Sequence, residues 1–421
     1  NLMAETVYAL DGLDVPDSDD DIDALKDCGA VRLFVQSAKR AEPSWEAKRD
    51  EYPIIADICR QVDGLPLAIV LAAGWVQTLD ASEIITELGR SLDILESELR
   101  DMPTRHRSMR AVFDYSWQTL EETERTLVMK LSVFRGGLSR RAGQIVANAG
   151  IRQLAALVNK SLLRRDPDQG SYHMHELLRQ YAESKLAVSD EADAVRAAHS
   201  AYYLDTLAEI QRSLEGGAQI DTLQHIDGDL ENVRAAWAFA ASFGNLSKLE
   251  RALPSMSLYF EMRGQYAEGL AFFDQTAALL RARAFTTERD IALGHVLARA
   301  AVLATTLQQF DTVDTMLAES RRLLDGSQGP ARAAIAFAQG FDHLTLKHVP
   351  DGRPFFEEAA QFYRAAGERW ALARTLGEWA STYWYRVDGG SSDFAKAKTL
   401  AEEALDIQRA LGDTYGMATT L

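Results

Sequence analysis

The sequence predicts a mostly α-helical protein: a helical domain, a helical domain carrying a small β-hairpin, and a long run of paired helices. Three observations predict it. Apolar residues recur at the three- and four-residue spacings of one-sided helices along most of the 421 residues. One turn, Asp166-Pro167-Asp168-Gln169-Gly170, interrupts that rhythm between two short β-favouring stretches. A stretch near the C-terminus reappears 45 positions further on. The composition, 47% hydrophobic and 25% charged, suits a soluble globular chain and argues against disordered, collagen-like and membrane-spanning classes.

Taken in order, Thr6-Val7-Tyr8-Ala9-Leu10 is a short β-favouring run closed by Gly12 and Pro16. A lone strand needs ladder partners from elsewhere, so residues 1–21 read as the tail of a preceding domain. The acidic stretch Asp17–Asp23 loosely follows a calcium loop, but Ile22 stands where that loop needs Gly and Cys28 where it needs Glu. Acidic residues crowding a helix N-terminus explain it better.

Residues 22–101 read as a helical domain. Val31, Phe34, Val35 and Ala38 mark one helix, ending near Pro43; Ile54, Ile55, Ile58 and Val62 mark the next, stopped by Asp63-Gly64. Leu65-Pro66 opens a third, Leu67 to Leu79, apolar nearly all round and therefore buried. A fourth carries Ile84, Ile85 and Leu88.

Residues 102–188 change rhythm. Helices fit Arg107–Thr119, Glu121–Leu131, Ser139–Ala149 and Ile151–Lys160, followed by a hairpin of Ser161–Arg165 and Tyr172–His175 and a last helix, Leu177–Leu186. That order describes a winged-helix domain. Residues 189–254 read as a helical linker or the start of a solenoid, and residues 255–421 as a tetratricopeptide-like α-solenoid. Ala366-Gly367-Glu368 through Leu376 is repeated as Leu411-Gly412-Asp413 through Leu421, and Gly264-Gln265-Tyr266 and Gln308-Gln309-Phe310 each precede a helix. The last repeat stops inside its first helix and leaves an apolar face uncapped, so the chain reads as truncated at both ends or as having ends that need partners.

The formal charge of -17, from 45 basic and 62 acidic side chains, disfavours nucleic acid unless a local basic face exists. Such a face is available: residues 100–165 hold 13 Lys and Arg against 5 Asp and Glu. Yet the helix in the DNA-reading position, Ile151 to Lys160, carries only Arg152 and Lys160 among apolar residues, so DNA contact through this region is not expected. Two cysteines, no leader pattern and no apolar run long enough for a bilayer point to the cytoplasm and to no membrane partner.

Enzyme signatures are missing. No Gly precedes a Lys, so there is no phosphate-cradling loop, and no G-x-S-x-G elbow occurs. His175-Glu176-Leu177-Leu178-Arg179 has Arg where a zinc protease needs its second His. His173 and His175 share a strand face without an evident third ligand, so no metal is expected. The segment is not expected to be an enzyme by itself, and it has no catalytic residue to name.

Two short motifs carry a resemblance. Gly64-Leu65-Pro66-Leu67-Ala68 resembles the GxP motif of the STAND class of signal-transduction ATPases, the NB-ARC and NACHT relatives. Met174-His175-Glu176 resembles the MHD motif of the same class, with Glu176 in place of Asp. Leu131–Gly137, Leu157–Leu163, His175–Ala182 and Leu230–Ala236 also look like bacterial members, so the resemblance covers about residues 1–240. It implies that Gly64 and Pro66 lie near a nucleotide base and that His175 reaches the β-phosphate of ADP. It also implies ADP or ATP with Mg, held only together with a nucleotide-binding core preceding this chain, where slow ATPase activity would reside. In such proteins an ADP-locked form is released when a ligand or protein binds the repeats, and homo-oligomers form. The output would be transcriptional control or defence. Two other functions fit the residues: a DNA-binding transcriptional regulator using the winged helix directly, and a repeat scaffold for protein partners. The aromatic group Trp379, Tyr383 and Trp384 is the expected ligand- or protein-binding patch on the repeats.

Overall fold

The computed structural model describes residues 12–15, 22–90, 94–95, 108–167, 170–325, 330–346, 352–383 and 393–421. The expected strand Thr6–Leu10 and the acidic residues 17–21 lie outside them. The chain divides into two compact units, Asn1–Val195 and Arg196–Leu421.

The first unit opens with α1 (Ile22–Asp27), α2 (Gly29–Ala41), α3 (Tyr52–Gln61), α4 (Pro66–Ala73) and α5 (Ala81–Arg90). Cys28, in extended backbone, separates α1 from α2, and its Sγ donates to the Asp14 carbonyl at 2.8 Å. The third expected helix is shorter than Leu67–Leu79: it ends at Ala73 and tightens into a 3-10 turn over Gly74–Gln77. Glycine is a poor helix former, which places the change of winding at Gly74. Phe34, Ile55, Ile58, Ile69 and Ile84 are fully buried at the centre of this domain.

The winged-helix domain follows: α6 (Met109–Gln118), α7 (Glu122–Leu131), β1 (Gly137–Leu138), α8 (Arg140–Ala147), α9 (Ile151–Asn159), β2 (Arg164–Arg165), β3 (Tyr172–His173) and α10 (Glu176–Ala187). Ser108 and Ser139 cap α6 and α8 by accepting from Ala111 N and Ala142 N, each at 3.1 Å. The strands pair antiparallel in the order β1-β3-β2, with His173 opposite both Gly137 and Arg164. The two-residue β1 was not expected, because two residues show no alternation. Gly137 leaves room for a ring: a Cβ there would sit 2.7 Å from His173 Cε1. Met109 and Leu177 join the core of the helical domain, so the two domains share one interior.

The second unit is a succession of helical hairpins: α11 (Ala192–Leu214), α12 (Gln219–Ser242), α13 (Leu246–Met262), α14 (Tyr266–Ala282), α15 (Thr287–Thr306), α16 (Phe310–Leu323), α17 (Pro330–Leu346), α18 (Arg353–Ala366), α19 (Arg369–Ser381), α20 (Phe394–Leu411) and α21 (Thr414–Thr420). Gly367 and Gly412, both at φ 75°, end α18 and α20 at equivalent places in two successive repeats. Large rings pack where a neighbouring helix offers no side chain, as Phe356 does against Gly340. The expected boundary at 254/255 falls inside α13, which carries Pro254 within it. Residues 189–254 therefore hold the first hairpin and the opening of the second, the solenoid start that is one of the two expectations for them.

The coil also returns on its own beginning. Gln219, at the start of α12, donates to Asp413 Oδ1 at 2.7 Å and accepts from Thr414 Oγ1 at 2.7 Å and Tyr415 N at 3.1 Å. No helix among the described residues is long and apolar enough to cross a membrane.

Candidate functional site

The GxP residues form a tight turn between α3 and α4. Asp63 (φ 51°) and Gly64 (φ 65°) both take the left-handed conformation that ends α3, and Gly64 N donates to Cys59 O at 3.0 Å. The segment Gly12–Val15 runs against this turn, with Leu13 N donating to Gly64 O at 2.9 Å. The approach requires glycine twice. A Cβ on Gly64 would lie 2.1 Å from Leu13 O, and one on Gly12 would lie 2.2 Å from Asp63 O. Leu65 is the extended residue before α4, and Pro66 takes the first helical position, its ring exposed.

His175 arrives at this turn from the winged helix. It caps α10: its Nδ1 accepts from Leu177 N at 3.1 Å. An accepting Nδ1 assigns the proton of the neutral ring to Nε2. That Nε2 is shielded from solvent, makes no hydrogen bond of good geometry among the described residues, and lies near the Val62 carbonyl and 3.7 Å from Asp63 Oδ2. Burial holds the imidazole below its ordinary pKa; the nearby Asp63 carboxylate and Val62 carbonyl oppose that shift without overcoming it. The arrangement is a sheltered N–H donor against the turn that leads into an exposed proline. It is the kind of donor that a phosphate oxygen would accept from.

Glu176, third in the motif, does something else. Arg179 donates to both its carboxylate oxygens at 2.7 Å, and Gln180 donates at 3.1 Å. Arg179, 5% exposed, also holds Glu183 and the Ser132 carbonyl, while Gln180 reaches the Leu88 carbonyl of α5. Glu176 thus braces α10, and burial pushes its carboxyl above the usual range. His173 turns elsewhere, its Nε2 bonded to Ser171 Oγ at 2.8 Å.

The basic residues Arg140, Arg141, Arg152, Arg164 and Arg165 are all exposed. On α9, however, the solvent face leads with Ile151, 59% exposed, and Lys160 just beyond it is paired with Glu124 at 2.6 Å. In the repeats, Trp379 lies under Lys396 (5.5 Å to the ring centre) and Tyr383 under Arg353 (4.0 Å). Trp384 lies outside the described residues. Two adjoining cavities of this unit are lined instead by other residues of α19, Trp370, Arg374 and Glu378. Asp63 and Arg374 are residues the sequence reading missed. For Arg374 the four-residue spacing of Trp370, Arg374 and Glu378 is a sequence signal; for Asp63 as the neighbour of His175 there is none.

No family model matches the sequence. Over 410 residues it is 30% identical to predicted HTH-type transcriptional regulators of Mycobacterium bovis and Mycobacterium tuberculosis, covering 92% of this chain and 44% of theirs. An uncharacterised M. tuberculosis protein is 31% identical over 200 residues, 45% of this chain and 51% of that one. Among solved structures, a STAND protein with a tetratricopeptide repeat sensor from Pyrococcus horikoshii superposes with a TM-score of 0.41 at 13% identity, covering 93% of this chain and 55% of that one. The chain is thus similar over nearly its whole length to mycobacterial proteins named as transcriptional regulators, and spans less than half of them.

Proposed function

We propose that this chain is the regulatory and sensor portion of a nucleotide-switched signal-transduction ATPase of the STAND class. One observation carries the reading: two motifs far apart in sequence meet, with His175 Nε2 3.7 Å from the Asp63 that precedes Gly64-Leu65-Pro66. In this reading His175 donates to the β-phosphate of ADP, and the Pro66 ring and the Gly64 turn lie beside the base. A core preceding this chain supplies the phosphate loop and Mg. The Asp63 side chain is 72% exposed, so it can turn to solvent when a phosphate approaches. Ligand or protein binding at the repeats then releases the ADP-locked form and permits oligomerisation, a population shift that requires the ligand to prefer the open form. The names of the relatives favour transcriptional control as the output of the whole protein.

Those names also favour a second reading, in which the winged helix binds DNA itself. Against it stand Ile151 at the head of the exposed face of α9 and the pairing of Lys160 with Glu124, although Arg152, Gln153 and Asn159 on that face are polar.

The test uses the full-length protein loaded with ADP. A hydrogen bond to a charged group is worth about 1.5–3 kcal/mol, so His175→Ala should speed ADP release roughly ten- to hundredfold. Asp63→Asn, which removes a negative charge near the phosphate, should slow it. Unchanged release rates in both variants would reduce His175 to a helix cap.

A further inference from the structure

The repeat unit encloses two adjoining cavities, of about 440 and 230 Å³, that share Trp370 and Arg374. The larger falls within the range of small-molecule sites.

Their described linings are unbalanced in charge. Six carboxylates (Glu215, Glu250, Glu261, Glu368, Glu378 and Asp413) face three guanidinium groups, those of Arg251, Arg299 and Arg374. Arg374 is engaged by Glu261, and Arg251 lies 3.6 Å from Asp205, outside the cavities. Only Arg299 remains to offset Glu215, Glu250 and Glu368 in the larger cavity. Burial, with Glu288 nearby, pushes Glu250 up to about 7, and burial raises Glu215 as well. Pro254, in the same wall, has no N–H to give the Glu250 carbonyl one turn earlier, so another acceptor there lacks its helical donor. The remaining wall includes three aromatic rings, Phe337, Tyr363 and Trp370. Arg374 displays what such a wall holds. Its guanidinium sits 4.7 Å from the Phe337 ring and 5.7 Å from Trp370 while bonded to the Glu261 carboxylate.

We propose that the larger cavity binds a small organic cation, an amine or guanidinium on a flat or apolar body. Glu215 and Glu250 take the charged nitrogen, and Phe337 and Trp370 take the body. As the ligand of a sensor this rests on the function proposed above; as a binding site it stands on the cavity alone. Arg299 sets the orientation, because it repels the charged end toward Glu250.

The whole chain is titrated calorimetrically with tyramine, tryptamine and agmatine, and with tyrosol, the neutral counterpart of tyramine. At least one amine should bind saturably with one-to-one stoichiometry, and tyrosol should not match tyramine. Glu250→Gln and Glu215→Gln should each weaken the amine about tenfold or more with the melting temperature retained. Near neutral pH, binding should also release protons, because a cation returns Glu250 to its ionised form; the heat then varies with the buffer's own ionisation heat. Tyrosol binding as tightly as tyramine, or no saturable binding by any of the three amines, overturns the proposal. An amine that binds this chain but leaves ADP release unchanged in the full-length protein upholds the site and defeats the sensor reading. Absence of amine binding while His175→Ala still speeds ADP release defeats the site and leaves the switch standing.

Discussion

The two units organise their chemistry in opposite ways. In the first, the residues of interest sit at the ends of elements: Pro66 opens α4 and His175 caps α10. Each is fixed by its immediate neighbours, and one contact brings the two ends together. In the second unit the cavity wall is gathered from many elements: mid-helix residues such as Pro254 of α13, Arg299 of α15 and Phe337 of α17, Tyr363 of α18, and Glu215 and Glu368 at the ends of α11 and α19. Only the curvature of the coil makes them converge. A site built from element ends can be read as a motif. A site built from convergence cannot.

The largest test of that contrast is Arg374→Ala. It removes the cation from Glu261, which is 8% exposed, and from Glu378, leaving Glu261 with only the Ser257 hydroxyl and Glu378 without its compensating charge. Breaking such a pair costs roughly 3–5 kcal/mol, so chemical denaturation should show the repeat unit strongly destabilised. A loss below ~1 kcal/mol would mean that the pair is hydrated and that the wall is not dry.

A smaller effect belongs to the first unit. Gly64→Ala forces a side chain into φ 65° with its Cβ 2.1 Å from Leu13 O. The cost should be at least about 1–3 kcal/mol, with release of Gly12–Val15 from the turn. Hydrogen exchange at Leu13 N, which donates to Gly64 O, is the direct readout.

The smallest effect is a divergence with pH inside the repeat unit. Burial, assisted by Arg299, lowers His295 to about 4, so folding excludes a proton that the unfolded chain takes up below about 6.5. That residue's support is therefore lost as pH falls from about 6.5 towards 4. Glu250 works in reverse: raised to about 7, it keeps a proton that the unfolded chain has released, so its support is lost as pH rises from about 4.5 to 7. In Glu250→Gln the melting temperature should drop on acidification through this range. In His295→Gln it should rise on going from neutral to pH about 5. Parallel profiles in the two variants would show that neither group controls the unit.

How much was legible follows the same division. The winged helix was readable nearly element by element, because its turn at Asp166–Gly170, its serine caps and its one-sided helices are local signals. The repeats were readable as a period, since Gly367 and Gly412 stop successive helices at equivalent positions. The glycine-proline turn and His175 were readable as motifs, but Asp63 as the neighbour of His175 was not, because the contact joins separate domains of one unit. On α19 and in the turn after it, Trp379 and Tyr383 stood out as aromatic residues of the kind that anchor interfaces. The residues that line the cavities are Trp370, Arg374 and Glu378, and their significance depends on Glu261 across the coil. A charged pair contributed by α13 and α19 leaves no trace in either helix alone.

The clasp of Gln219 on Asp413, Thr414 and Tyr415 constrains the history of this protein as well as its shape. An open solenoid gains or loses a hairpin with little consequence, since each repeat answers only to its neighbours. Here the hairpins that carry Gln219 and Asp413 must meet, and Gly216 and Gly412 leave room for them to do so. One hairpin more or fewer would carry Asp413 past Gln219 and change the walls of the cavities at the same time. The number of repeats between Gln219 and Asp413 is therefore a fixed dimension, and relatives that keep the clasp should keep the count while varying the residues inside it.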